Sequence, residues 1–365
     1  MIQVAKKELA AALQQAARIA GTNSKQHVAE TALLLTVEPH GLTLTAHRDM
    51  HLRLRVNATP QLGMDGRKVV VPAALTAQLV TNCAANTVEL AFEKDLMRIS
   101  SGGSSVTVNT ADEHMDHFNR QTPVGGTVIA LAATDLAAAI NGTVYAASTA
   151  AFQAVFRGQL ITGDTDGMRI VASDGYRVAI ADLPTPTPQP IKAIIHATHT
   201  RELARMIAGT SDVTLQINAT HATIRTADQK LTLTMPLMDG DFPDYRRVLP
   251  DTDSSITLPA ADLRESLTRV SVMADKNANN RCTITHTEDR IIVQADGDYG
   301  SGRDTIQVDD WTGEPPQIAV NSRFMLEALA VMTGTLTLHC AGSTRPFTMT
   351  SDAPGLRGVL VTLRP

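Results

Sequence analysis

Apolar and polar positions divide the chain into helical and strand-like stretches that occur three times in the same order. Each copy opens with an Ala/Leu-rich helical pattern: KKELAAALQQAARIAG (6–21), TDLAAAINGTVYAAS (134–148) and ADLRESLTRVSVMAD (261–275). Leu9, Leu136 and Leu263 hold equivalent places, about 127 residues apart each time, a domain-sized period far above that of a solenoid. Period-two alternation follows in ALLLTVEPHGLTLTA, FRGQLITGDTDGMRIVAS and CTITHTEDRIIVQA, broken by Gly, Asp or Asn, which predicts hairpins. A short strand then leads to a second helix in KVVVPAALTAQLVTNCA, KAIIHATHTRELARMIAG and PQIAVNSRFMLEALAVMTG, and hairpins return afterwards. The pattern predicts an α+β fold of three similar domains, each with two helices covering one face of an antiparallel sheet. Stretches rich in Pro, Gly, Asp and Ser at 120–127 and 249–255 place the domains at 1–124, 125–250 and 251–365.

Composition changes this picture little. A length of 365 residues suits two or three domains, and aromatics of only 3% mean that the cores are aliphatic. The formal charge of −5 lacks the overall basic footprint of a nucleic-acid binder, so the placement of charge has to decide. Cys83, Cys282 and Cys340 are few and far apart with no CxxC pair, which points away from a disulfide framework or a zinc site and towards a reducing cytosol. The first helical pattern alternates with Gln and Arg, unlike a signal peptide, and no membrane span is expected.

No constellation for catalysis stands out. His114/His117 in HMDH and His196/His199 in HATH have metal-like spacing without an HExxH, and surface histidines explain them better. His47 and His51, four apart in a strand-like run, are expected on one solvated face. SSGGSS (100–105) lacks the GK[ST] of a phosphate loop and reads as a hairpin turn. DGDYGSGRD (296–304) lacks the Glu of a calcium loop and reads as a long turn. No metal or cofactor is expected.

The helical stretches carry Lys6, Lys7, Arg18, Arg201, Arg205, Arg264, Arg269 and Arg323 against Glu8, Asp135, Glu202, Asp262, Glu265 and Glu327. With Asp135 and Asp262 assigned to helix N-caps, the helices lean basic, eight against four, within an acidic protein. Solvated helix faces explain this as readily as a polyanion does.

Two longer motifs narrow the choice. MPLMDGDFPDYRRVLP (235–250) closely resembles the segment that ends the second domain of the bacterial DNA polymerase III β subunit, the replicative sliding clamp, and ASDGYRVAIADLP (172–184) is similar to that family's T/S-D-G-H/Y-R run. The resemblance extends over the whole chain, through the threefold order to the Arg-containing tail VLVTLRP (359–365). It implies a non-enzymatic processivity factor of the bacterial cytoplasm, a head-to-tail homodimer whose six domains close into a ring around double-stranded DNA, with helices lining the hole. Implied partners are the DNA polymerase III core, the clamp loader, and other polymerases and repair proteins, held through linear peptides.

By that alignment the peptide cleft would be lined by Phe156, Ser173, Gly175, Tyr176, Arg177, Val178, Pro243, Arg247, Val248, Asn321, Phe324, Leu360, Val361, Thr362 and Leu363. Its apolar members would take leucine or phenylalanine anchors, and the arginines and Asn321 would hold polar groups of the peptide. Core packing is the other reading of Tyr176 and Phe324, and a salt bridge at the domain boundary that of Arg246. DNA contacts would come from Lys25, Arg201, Arg205, Arg264 and Arg269, and the subunit interface from Val106 and Val108 on an edge strand facing Val272 and Met273. The tail departs from the family's usual Met-Pro-Met-Arg-Leu ending, and the polar DKNANNR stands where members carry an aromatic at Asn279. Two other readings compete: a metal-dependent nuclease using Asp244, Arg246 and Arg247, and a β-rich structural repeat protein without a DNA role.

Overall fold

One order of elements recurs three times along the chain: a strand, a helix, four strands, a second helix and three strands, with one extra short strand (Asp310–Thr312) in the last copy. The structure, a computed structural model, describes residues 1–21, 28–150 and 154–364, so Lys25 lies outside the described residues. Among these described residues the α-helices are α1 (Lys6–Ala20), α2 (Ala73–Thr81), α3 (Ala133–Thr143), α4 (Ala197–Met206), α5 (Ala260–Val270) and α6 (Ser322–Leu329). Helix α1 forms because Leu9, Ala12, Leu13, Ala16 and Ile19 recur at three- and four-residue steps and are all buried. It stops at Gly21, whose φ of 78° suits glycine and whose N–H donates to the Ala17 carbonyl.

Two compact units gather these elements: Met1–Thr134 with Met206–Leu237, and Asp135–Arg205 with Met238–Pro365. The first unit holds a twelve-stranded sheet with the strand His51–Pro60 as its hub. That strand pairs with Ile2–Ala5 at its end (Ile2 opposite Pro60), with Gly41–His47 along its length, and with Leu231–Pro236 near its start (Leu233 opposite Leu52). The second unit holds a nine-stranded and a four-stranded sheet, and in the larger one Arg177–Leu183 pairs with Leu356–Leu360 (Arg177 opposite Leu360). All of these pairings are antiparallel. The sheets thus join strands from different copies of the repeat.

Local readings need four corrections. Helices α3 and α5 begin at Ala133 and Ala260, so Asp135 and Asp262 lie inside the first turn, where a negative charge suits the helix dipole, and Pro259 caps α5 without a side-chain bond. The last residues expected in those helices form separate 3₁₀ turns, Val144–Ala146 and Ser271–Met273. His47 and His51 are cross-strand partners at a hairpin, and His51 is buried rather than solvated. The 296–304 segment is mostly strand: Gly297 pairs with Gly300, leaving only Asp298 and Tyr299 in the turn. The glycines of SSGGSS do sit in a two-residue hairpin turn, with Ser101 opposite Ser104. Among the described residues no helix is long and apolar enough to cross a membrane.

Candidate functional site

The run Ser173-Asp174-Gly175-Tyr176-Arg177 folds into a tight turn for reasons local to its sequence. Asp174 Oδ1 accepts from the backbone N–H groups of Tyr176 (2.9 Å) and Arg177 (3.1 Å), while Ser173 Oγ donates to the Arg177 carbonyl (2.8 Å) and accepts from Gly175 N–H (3.1 Å). Gly175 has φ 89°, a conformation that a side chain disfavours. The turn leaves the Tyr176 ring 60% exposed, which rules out core packing, and sets it 6.4 Å from the Phe324 ring. Phe324 is partly buried against the third copy's core.

Beneath this aromatic pair Arg177 is only 5% exposed. Its guanidinium donates to Asp174 Oδ2 at 2.9 Å and to Glu327 Oε2 at 2.6 Å, and lies 4.4 Å from the Phe324 ring centre and 5.4 Å from that of Tyr145. Two of its donors are thus spent on carboxylates inside the protein, so Arg177 supports the wall of the cleft. Burial also holds the Tyr145 phenol well above its usual range.

The opposite wall comes from 238–250. Met238 N–H donates to the Ile194 carbonyl (2.8 Å), tying the segment to the strand Ile191–His196. Phe242 and Tyr245 then bury themselves against Leu160, Val171, Val178 and Ile194, and the Tyr245 hydroxyl lies 3.4 Å from Arg169 Nη1. Phe156 meets Phe242 edge to face at 5.7 Å. Asp244 caps the 3₁₀ turn Tyr245–Val248 by accepting from Arg246 N–H and pairs with Arg247 at 3.4 Å. Among the described residues Arg246 forms no salt bridge; it lies over the Tyr245 ring at 5.8 Å. With its oxygens engaged in this cap, Asp244 is poorly placed as a general base or metal ligand.

These walls enclose an apolar cleft of about 240 Å³. Of the residues expected there, Phe156, Ser173, Gly175, Tyr176, Arg177, Val178, Pro243, Val248 and Val361 line it. The others stand outside the lining. Leu360 is 1% exposed in the core, Asn321 caps α6 through the N–H groups of Arg323 and Phe324, and Arg247 is 85% exposed beyond the rim. The tail runs past the site by donating from Val361 N–H to the Tyr176 carbonyl (3.0 Å) and from Leu363 N–H to the Ala319 carbonyl (2.7 Å), leaving the Thr362 hydroxyl buried without a partner. Phe242, Asp244, Tyr245, Pro346 and Val359 also line the cleft and were not expected in its lining. Phe242, Asp244 and Tyr245 sit within the quoted motif and Val359 opens the quoted tail, but Pro346 and the supporting Glu327 carry no local signal.

The remaining candidates lie elsewhere. Arg201 and Arg205 are exposed on α4, and Arg264 and Arg269 on α5. Arg205 pairs with Glu202, and Arg269 with Asp304 at 2.7 Å and Glu265 at 3.6 Å, which reduces the charge they offer. Val106 is 43% exposed on the strand Ser104–Asn109 at the sheet edge, but Val108 is 2% exposed and belongs to its own unit's core. Val272 is 80% exposed, while Met273 packs against the core instead of facing solvent. His117 lies against the His47 carbonyl (3.1 Å), and His196 Nδ1 is 2.7 Å from Thr198 Oγ1. No group of three or more His, Cys, Asp or Glu side chains suited to a metal ion occurs among the described residues.

Comparison with known proteins completes the assignment. The family models for the central and C-terminal domains of the DNA polymerase III beta subunit match residues 130–244 and 246–354. The beta sliding clamp of Synechocystis is 29% identical over 321 residues, covering 80% of both chains, and that of Vibrio cholerae is 25% identical over 81% of both. Among solved structures, a DnaN sliding clamp from Pseudomonas aeruginosa superimposes with a TM-score of 0.92 at 22% identity, covering 100% of this chain and 99% of that one. The DNA polymerase III beta subunit of Thermotoga maritima gives 0.89 at 23%, with both chains fully covered. The chain therefore belongs to the DNA polymerase III beta-subunit family and acts as a sliding clamp, a processivity factor for DNA replication and not a catalyst.

Proposed function

We propose that two copies of this chain close head to tail into a ring of six similar domains, 1–124, 125–250 and 251–365 from each, around double-stranded DNA. The ring would work in the bacterial cytoplasm, with Arg201, Arg205, Arg264 and Arg269 meeting phosphates weakly and without reading bases. Weak contacts permit sliding, and closure prevents escape. Val106 and Val272 are the exposed apolar residues offered to the subunit contact. The cleft would tether the polymerase III core, the clamp loader and repair factors by taking the apolar anchors of their linear peptides.

The observation that carries this reading is the cleft itself: an apolar recess with Tyr176 exposed at its edge and its buried charges already paired. Such a recess suits leucine and phenylalanine anchors and offers little to a charged substrate. The test is topological. Loaded onto nicked circular DNA, the protein should remain bound in high salt and be lost once the circle is linearised; equal loss from both forms would overturn the reading.

A further inference from the structure

The twelve-stranded sheet of the first unit presents a second charged surface, built on strands instead of helices. In the strand His51–Pro60, Leu52 and Leu54 are buried, so Arg53 and Arg55 between and beyond them project to the opposite face. Register extends this into rows. Arg53 lies between Thr45 and Thr232, Thr232 lies next to Arg225, and Arg225 next to Thr214. The adjoining row runs from Arg55 through Thr43 and Thr36 to Lys68. Strand spacing sets Arg53 and Arg225, two strands apart, at about 10 Å, and the rows about 7 Å from each other.

Little within the unit neutralises these cations. Glu38 accepts from Thr43 Oγ1 (2.6 Å) and lies 3.4 Å from Arg55, and Lys230 is held by Glu8 at 3.2 Å. Arg225 donates only to the neutral amide of Gln216 (2.7 Å). Arg53, Arg225, Lys68 and Arg120 have no carboxylate partner among the described residues. Two depressions of about 530 and 330 Å³ open on this face, both lined by Arg53 with threonines, with Glu38 as the carboxylate of the first and Asp116 that of the second. In a chain of net charge −5, such a concentration of unpaired cations and hydroxyls is the footprint expected of a phosphate-binding surface. No Phe, Tyr or Trp stands in either row, so single-strand stacking is not provided for.

We propose that this sheet face binds the phosphate backbone of duplex DNA without sequence preference, as a contact separate from the helices and from the cleft. The probe is a short dumbbell duplex closed at both ends, which has no free end to thread through a ring. Fluorescence anisotropy should show the wild-type chain binding it with a steep salt dependence. Arg53→Ala with Arg225→Ala should weaken binding tenfold or more at about 50 mM salt and flatten the log–log salt slope by about 2, since each phosphate contact contributes about 0.9. Thermal melting and peptide binding at the cleft should stay as in wild type. Arg53→Gln alone gives a milder version should the pair perturb folding. The proposal fails if the dumbbell does not bind, if both variants bind it like wild type, or if an oligoglutamate peptide binds there in place of DNA.

Discussion

Two segments occupy the same place in the repeat and have opposite chemistry. Each follows the third strand after the second helix, and each ties itself to the strand before that helix: Ala111 N–H donates to the Val70 carbonyl (2.9 Å), as Met238 N–H does to that of Ile194. In the second unit the segment supplies Phe242, Pro243 and Tyr245, and an apolar cleft results. In the first unit the equivalent stretch forms the 3₁₀ turn Asp112–Phe118, of which only Phe118 is buried. The His117 ring there lies tilted 5.1 Å from that of His47, and His47 meets His51 edge-on at 5.6 Å, beside a depression lined by Arg120 and Asp49. One backbone plan therefore does not make an apolar cleft. The aromatic side chains after the turn make it, together with a buried cation that props the facing wall.

Removing that prop should have the largest effect. Arg177→Met leaves Asp174 without its cation, Glu327 with Arg323 alone and the Phe324 ring without its cation, and is expected to cost about 3 kcal/mol in denaturant unfolding. Partner-peptide binding should fall with it, because Tyr176 and Phe324 lose their support. Unchanged stability would mean that the ion pairs are not what holds the wall.

The histidine segment should answer to pH. Burial, aided by His47, Arg53 and Arg120, lowers the His51 pKa from 6.5 to about 4. The folded state therefore resists a proton that the unfolded state accepts, so stability is complete above about pH 6.5 and is lost as pH falls towards 4. The gap sets an upper limit of roughly 3 kcal/mol, at 1.36 kcal/mol per unit. Melting curves of wild type and His51→Leu across this range should converge at low pH; parallel curves would remove His51 as the cause. His47, lowered by burial, Arg120 and His117, adds a smaller dependence in the same direction.

The smallest effect belongs to the rim. Arg247 is 85% exposed and pairs only with Asp244, so Arg247→Ala should change stability by less than about 0.5 kcal/mol. Peptide affinity measured by anisotropy should weaken about threefold, with the assembly mass in light scattering unchanged. A loss beyond tenfold would place Arg247 among the main anchors instead of at the edge.

Much of this protein is decided by local sequence. Three- and four-residue spacing in KKELAAALQQAARIA makes α1, alternation makes the hairpins, and Ser-Asp-Gly makes the turn that presents Tyr176, because each depends only on neighbours along the chain. The two motifs likewise marked both walls of the cleft. Periodicity cannot name a strand's partner, and tertiary structure made that choice: Arg177 lies opposite Leu360 and Leu233 opposite Leu52, so the sheets run across the repeats. For the same reason Glu327 and Tyr145 come to Arg177 from distant parts of the chain, and Arg53 and Arg225 share a face. His51 was expected in solvent because its spacing from His47 suits one strand, and only the hairpin between them decided that it is buried. Short-range rules select elements; long-range pairing, which follows from burying many apolar faces at once, selects which side chains meet.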